Sequence, residues 1–179
     1  MPKKVLVVYG TRYGATEGTS EEIARVLRSE GLDVSVVNAG REKVKYASGY
    51  DLIIVGSGIQ MGQWTGAAKK FLQKLQKELP SKKVAIFVSS GAQTPEETEN
   101  ARKQYLEDRA AKHGLHPISM AVFGGVWDFN KMFFLFRKTL ASLRPKLEEA
   151  GFKEVEPGLY DTRDWHAIRA WAKELAKKV

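Results

Sequence analysis

The sequence predicts an α/β protein built on a doubly wound parallel sheet of five strands with helices on both faces. Three observations carry this. Short, uniformly apolar runs alternate with longer stretches in which apolar residues recur at helical spacing. The runs lack the apolar–polar alternation of a sheet with one wet face, so both faces are covered. The turns that follow the runs are rich in glycine and hydroxyl residues.

Lys4–Tyr9 is the first buried strand, and Thr16–Glu30 follows as a helix with Ile23, Ala24, Val26 and Leu27 on one face, ending at Gly31. Asp33–Val37 is the second strand. Asn38–Tyr50 is a polar connection with room for a short helix. Asp51–Gly56 is the third strand, and the glycine-rich loop Ser57–Gly66 leads into the helix Ala67–Leu79. Lys83–Val88 is the fourth strand and Ser89–Thr94 a loop. Pro95 suits the first turn of the helix Glu96–His113. Pro117–Phe123 is the fifth strand. The repeated strand–helix–strand order makes the sheet parallel.

Beyond it the pattern changes. Gly124–Asn130 reads as a loop, Lys131–Leu143 as an aromatic-rich helix and Pro145–Ala150 as a short second piece closed by Gly151. A loop to Tyr160 precedes the last helix, Asp164–Lys177. There Trp165, Ile168, Trp171, Ala172 and Leu175 form a stripe suited to packing on the sheet. No linker looks long enough to divide domains, so 1–179 is expected to be one domain with an inserted aromatic helical segment at about 126–150.

Composition limits the function classes. The 179 residues are 43% hydrophobic and 28% charged, the balance of an ordinary globular chain. The absence of cysteine excludes disulfides, thiolate metal sites and cysteine nucleophiles. Met1–Val5 carries too short an apolar run for a signal peptide, and no stretch approaches the ~20 apolar residues of a membrane span. A cytoplasmic protein, or one peripheral on the inner face of the membrane, is expected. The 29 basic and 21 acidic residues leave a net charge of +8, which favours anionic partners. No helix-turn-helix, zinc finger or aromatic RNA-binding strand accompanies that charge, so nucleic acid is not expected. His113, His116 and His166 form no cluster with other metal-ligating residues, and no metal is expected.

The loop after the first strand, Gly10-Thr11-Arg12-Tyr13-Gly14-Ala15-Thr16, carries the chemistry. It places backbone N–H groups and two threonine hydroxyls at a helix start, where the helix dipole supplies roughly half a positive charge. A phosphate-bearing ligand fits. A Walker loop fails, because only three residues separate Gly10 from Gly14 and Ala15 stands where its lysine would be. A dinucleotide fingerprint fails too, since G-x-G-x-x-G is missing and Asn38 stands near the required acid. A receiver domain needs acids where Val8 and Tyr9 lie.

What remains, Thr11-x-x-Gly14-x-Thr16 between strand one and helix one, resembles the phosphate loop of the flavodoxin-like FMN proteins. More narrowly, Tyr50–Gly62, Phe123-Gly124-Gly125 and Asp161-Thr162-Arg163-Asp164-Trp165 resemble the branch of the menaquinone-dependent protoporphyrinogen oxidases and their relatives. The resemblance implies strand order 2-1-3-4-5 and FMN as cofactor. It assigns the phosphate to Thr11, Arg12, Tyr13, Gly14, Ala15 and Thr16. Ser57, Gly58, Ile59, Gln60, Met61 and Gly62 would line one edge of the isoalloxazine, and Ser89, Ser90, Gly91 and Ala92 the other. Trp64 and Trp127 are the two candidates to cover the ring, with packing as the alternative for each. Gly58 or Gly62 would permit the peptide flip by which flavodoxins answer reduction of the ring.

The resemblance implies an oxidoreductase that passes electrons from a reduced substrate through FMN to a quinone, the catalysis residing on the flavin. The alternatives are a flavodoxin-type electron carrier docking to redox proteins, and a binding module that has lost FMN. Two departures from the carriers favour the oxidase branch: Ser89–Thr94 holds no aromatic residue, and the chain is basic. Against this, Ala141–Leu159 is longer than the resemblance leads one to expect. Met132-Phe133-Phe134-Leu135-Phe136, set among Lys131, Arg137, Lys138 and Arg144, suits an anionic membrane surface, a quinone or porphyrin pocket, or packing over the sheet edge.

Overall fold

The computed structural model describes residues 1–91, 94–131 and 142–179. Along the chain the first strands are β1 (Lys4–Gly10), β2 (Asp33–Asn38), β3 (Leu52–Gln60), β4 (Gln63–Trp64), β5 (Lys83–Ser89) and β6 (Ser119–Phe123). Five of them lie side by side in the order β2-β1-β3-β5-β6, every neighbouring pair parallel. With the short β4 set aside, this is the expected 2-1-3-4-5 order. Val7 lies in register with Val36 on one side and Ile54 on the other, and Ile54 with Ala85 beyond.

Successive residues of each run go to opposite faces, which is why the runs are uniformly apolar. On one face Val5, Val7, Leu52, Ile54, Ala85 and Phe87 pack beneath α1 (Ala15–Ser29) and the C-terminal helix. On the other, Leu6, Val8, Ile53, Val55, Ile86 and Val88 pack beneath α2 (Gly66–Lys74) and the helical run that starts at Pro95. That run is α3 (Pro95–Arg102), a π-helical turn (Lys103–Glu107) and α4 (Asp108–Lys112). Thr94 and Glu97 close a capping box at its start, with Pro95 in the first turn as expected. The predicted helix Ala67–Leu79 ends early at Leu75. Pro80 supplies no N–H, and Leu79–Ser81 tightens into a 3₁₀ turn instead. The connection 38–50 forms no helix.

The largest departure from expectation lies beyond β6. The stretches 124–130 and 151–160, read as loops, contain β7 (Val126–Asp128), β8 (Glu154–Glu156) and β9 (Leu159–Asp161), which form a second antiparallel sheet in the order β7-β9-β8. The helix α5 (Leu143–Glu149) adds Leu147 to the small core that this sheet shares with Phe129 and Tyr160. Residues 132–141 of the predicted aromatic helix, and with them the surface at Met132–Phe136, lie outside the described residues. The last helix, α6 (Trp165–Ala176), places its stripe as expected: Ile168, Ala172 and Leu175 are buried, with Trp165 and Trp171 packed beside them. Trp171 meets Phe87 and Phe123 edge-on and donates its indole N–H to Ser119 Oγ at 2.9 Å. Among the described residues no helix is long and apolar enough to cross a membrane.

Candidate functional site

The chain leaves β1 to build β2 on one side and returns to build β3 on the other. The carboxyl ends of β1 and β3 therefore part at a switch point, where open α/β sheets take their ligands. A cavity of about 520 Å³ opens there. Its floor is the turn from β1 into α1, and its walls are the end of β3, the loop after β5, and β7.

The floor comes first. Gly14 sits at the N-cap of α1 with φ +91°, a conformation that suits glycine, and no side chain caps the helix. Thr11 Oγ1 accepts from the Gly14 N–H at 3.0 Å and fixes the turn. Thr16, 1% exposed, keeps its Oγ1 buried with no hydrogen-bond partner. Arg12 reaches across the mouth, donating to Gln60 Oε1 at 2.6 Å, and Gln60 donates to the Tyr13 hydroxyl at 3.4 Å. No carboxylate lines the cavity among the described residues. The helix dipole and Arg12 thus set a positive floor. Tyr9, buried below, donates to Glu17 at 2.9 Å; burial and then that carboxylate push its hydroxyl up to about 12, so it stays protonated.

The walls are less polar. Residues Gly58–Met61 belong to a hairpin: the expected loop Ser57–Gly66 continues β3 to Gln60, turns at Met61 and Gly62, and returns as β4. Both turn residues have positive φ, +49° at Met61 and +71° at Gly62. This is the twist a two-residue hairpin turn needs. Across the cavity, Ser89 keeps a second buried hydroxyl without a partner. Trp127, delivered by β7, lies against the Gly91 backbone so closely that a Cβ there would stand 2.3 Å from the indole. Its Nε1 is buried and also unpartnered.

Most of the predicted positions therefore meet at one cavity: Thr11, Arg12, Tyr13, Ala15, Thr16, Gly58, Ile59, Gln60, Met61, Ser89, Ser90, Gly91 and Trp127 line it. Gly14 shapes the floor from behind. Ser57 is turned inward, where its hydroxyl accepts from the Thr65 N–H at 3.0 Å and braces the hairpin. Gly62 forms the hairpin turn, and Ala92 lies outside the described residues. Trp64 does not cover the cavity. It is 2% exposed in the core, with its indole N–H on the Tyr105 carbonyl at 2.8 Å.

Three lining residues escaped the sequence reading: Thr65, Gly125 and Val126. Thr65 carried a legible signal, since a threonine before a helix is a favoured N-cap, and it accepts here from Ala68 N–H. Gly125 enters the sequence reading only through the likeness of Phe123-Gly124-Gly125, and Val126 was hidden because β7 itself was.

The second sheet is tied to the floor by Arg163. Its guanidinium pairs with Asp161 at 2.6 Å and donates to the Ala15 carbonyl at 3.2 Å. Burial pushes the Asp161 carboxyl up, yet the hydrogen bonds from Arg163 outweigh it and hold the group below its usual range. Thr162 exchanges hydrogen bonds with the Gly125 backbone, which positions the wall.

The fold and cavity define an α/β nucleotide-binding protein with an uncapped helix N-terminus at its switch point. The family model for the flavodoxin domain matches residues 6–150, and the chain belongs to that family, whose cofactor is FMN. Over 174 residues it is 23% identical to protoporphyrinogen IX dehydrogenase (quinone) of Escherichia coli K12, spanning 97% of this chain and 94% of that protein. The flavodoxin of Streptococcus pneumoniae TIGR4 superimposes with a TM-score of 0.61 at 18% identity, over 98% of this chain and 99% of its own. The two-electron reduced flavodoxin of Megasphaera elsdenii gives 0.53 at 24% identity, over 66% of this chain and 84% of its own.

Three buried polar atoms, Thr16 Oγ1, Ser89 Oγ and Trp127 Nε1, find no partner among the described residues, and all belong to residues of this one cavity. Buried polar groups are rarely left unpaired. The donor set suits a phosphate at one end and a flat heteroaromatic ring between apolar walls, so the residues present fit FMN.

Proposed function

We propose that this protein is an FMN-dependent oxidoreductase that passes electrons from a reduced substrate to a quinone, in the manner of the protoporphyrinogen oxidases. The observation that carries the flavin assignment is the set of unpartnered polar atoms along one cavity at the switch point. The preference for an enzyme over a carrier is supported by the near full-length likeness to the Escherichia coli dehydrogenase.

In this reading Thr11, Thr16 and the first turn of α1 hold the phosphate, and Arg12 closes the rim. Gly58–Met61 supply backbone along one edge of the ring, with Ser89, Ser90 and Gly91 along the other. Trp127 walls the ring and excludes water from it. FMN, when bound, supplies the two-electron redox chemistry. The chain adds position and a positive floor. No acid–base pair is needed beyond the cofactor, and the neutral Tyr9 below the floor is not called on to release a proton.

The test is a flavin titration followed by turnover. FMN fluorescence should be quenched on adding the protein, and the loaded protein should generate porphyrin fluorescence from protoporphyrinogen IX with a menaquinone analogue as acceptor. Quenching without turnover would make the protein an electron carrier. No quenching at all would remove both readings.

A further inference from the structure

A second cleft of about 630 Å³ lies between α2 and α4, on the sheet face away from α1. Lys69 and Lys70 enter it from α2, and Arg109, Lys112 and His113 from the opposite side. Asp108 is the one acid on its walls among the described residues, and Lys103 pairs with it at 3.5 Å. Among the described residues, Lys69, Lys70, Arg109 and Lys112 have no acidic partner. Arg109 and Lys112 sit in the last turn of α4, where cations complement the helix dipole. Lys69 and Lys70 have no such reason. They lie in the N-terminal half of α2, which carries no acidic residue in its first turn.

Four cations therefore face a shared space with little to offset their repulsion, an arrangement that favours a bound anion. The packing adds to this. Arg109 is held over the Trp64 ring, 5.7 Å from its centroid, and its Nε is buried without a partner. His113 is 6% exposed, and its Nδ1 is likewise buried and unpartnered.

We propose that this cleft binds a small polyanion with closely spaced oxyanions, a diphosphate or a tricarboxylate, at a site separate from the flavin cavity. The proposal does not rest on the flavin reading, since the two cavities share no lining residue.

His113 is the reporter. Burial, then Arg109 and Lys112, hold its ring below the usual histidine range, and the other charges on the cleft wall are Lys69, Lys70 and Asp108. An anion among these cations reverses their effect and raises the pH at which His113 titrates. The chain has three histidines, so the ring signals of the full-length protein are readily separated by NMR. Inorganic pyrophosphate and citrate should each be titrated against sodium chloride of matched ionic strength. The expected result is an upward shift confined to His113, with His116 and His166 unmoved; the tighter of the two probes tells phosphate from carboxylate ligands.

Lys70 and Lys112 are exposed, so a Lys70→Gln/Lys112→Gln variant should fold, with uptake of FMN as the control. It should bind the better anion about tenfold more weakly. Three results would overturn the proposal: equal shifts at all three histidines, no shift beyond the chloride control, or unchanged affinity in the double variant. Binding of an oligonucleotide but of neither small anion would overturn it as well.

Discussion

The two sheets of this protein divide the labour of the candidate site unequally. The parallel sheet is buried on both faces and holds most of the apolar core of the described residues, and it supplies the cavity floor at the end of β1. Among the described residues the antiparallel sheet β7-β9-β8 rests on Phe129, Leu147 and Tyr160, with Trp127, Leu143 and Phe152 packed beside them, and it supplies Trp127, Val126 and the Gly125 backbone to the cavity. In the proposed reading the phosphate sits on the part of the fold with the larger described core. In that reading the wall beside the ring rests on the smaller of the described cores.

Substitutions can break that contrast. Phe87→Ala in the parallel sheet should have the largest effect, a loss of about 3–5 kcal/mol in a denaturant titration, because Phe87 is wholly buried between Phe123 and Trp171. Trp127→Ala should leave global stability far less changed and weaken FMN by about 2 kcal/mol, roughly 30-fold, in a fluorescence titration. A comparable fall in global stability would show that the small sheet is no separate, weaker unit.

Thr16→Val should weaken FMN about tenfold while leaving the apo protein as stable or more so, since it removes a buried hydroxyl that lacks a partner. Glu22→Gln, on α1, should be mildest, at about 1 kcal/mol. Hydrogen bonds from Arg25 foremost, and from Arg169 of α6, hold Glu22 down at about 2 against an ordinary 4.5. Its contribution is fully present above pH 4.5 and is lost as pH falls toward 2. Denaturation curves of the two proteins should therefore converge across that window; a gap constant in pH would exclude the ion pair as its source.

The same division governs what could be read from the sequence. Val5–Val8 and Leu52–Val55 announce themselves because a strand buried on both faces has no polar positions. β8 has all three residues exposed, and β7 and β9 are three residues each, too short for any period to register. Their core residues, Phe129, Leu147 and Tyr160, lie far apart in the chain, so no window contains the pattern. The stretch Ser57–Gly66 reads as a loop in the sequence because Gly58 weakens a strand signal that the pairing of Ile59 with Trp64 restores. The phosphate turn was legible because its chemistry is contiguous. Trp127 stands out as a candidate, but the strand that delivers it was not legible, because its partner Tyr160 lies far along the chain, as does Thr162, which bonds Gly125 37 positions away.

The bracket from Arg163 to the Ala15 carbonyl has a consequence for the order in which the protein is made. A chain emerging from the ribosome presents the turn after β1 well before β7. Until Leu159–Arg163 has followed, β7 has no partner strand and the start of α1 has no brace. In the proposed reading, flavin loading therefore waits for residues 159–163. Ribosome-bound chains arrested before Leu159 should fail to quench FMN fluorescence, and chains arrested far enough beyond α6 to clear the exit tunnel should quench it.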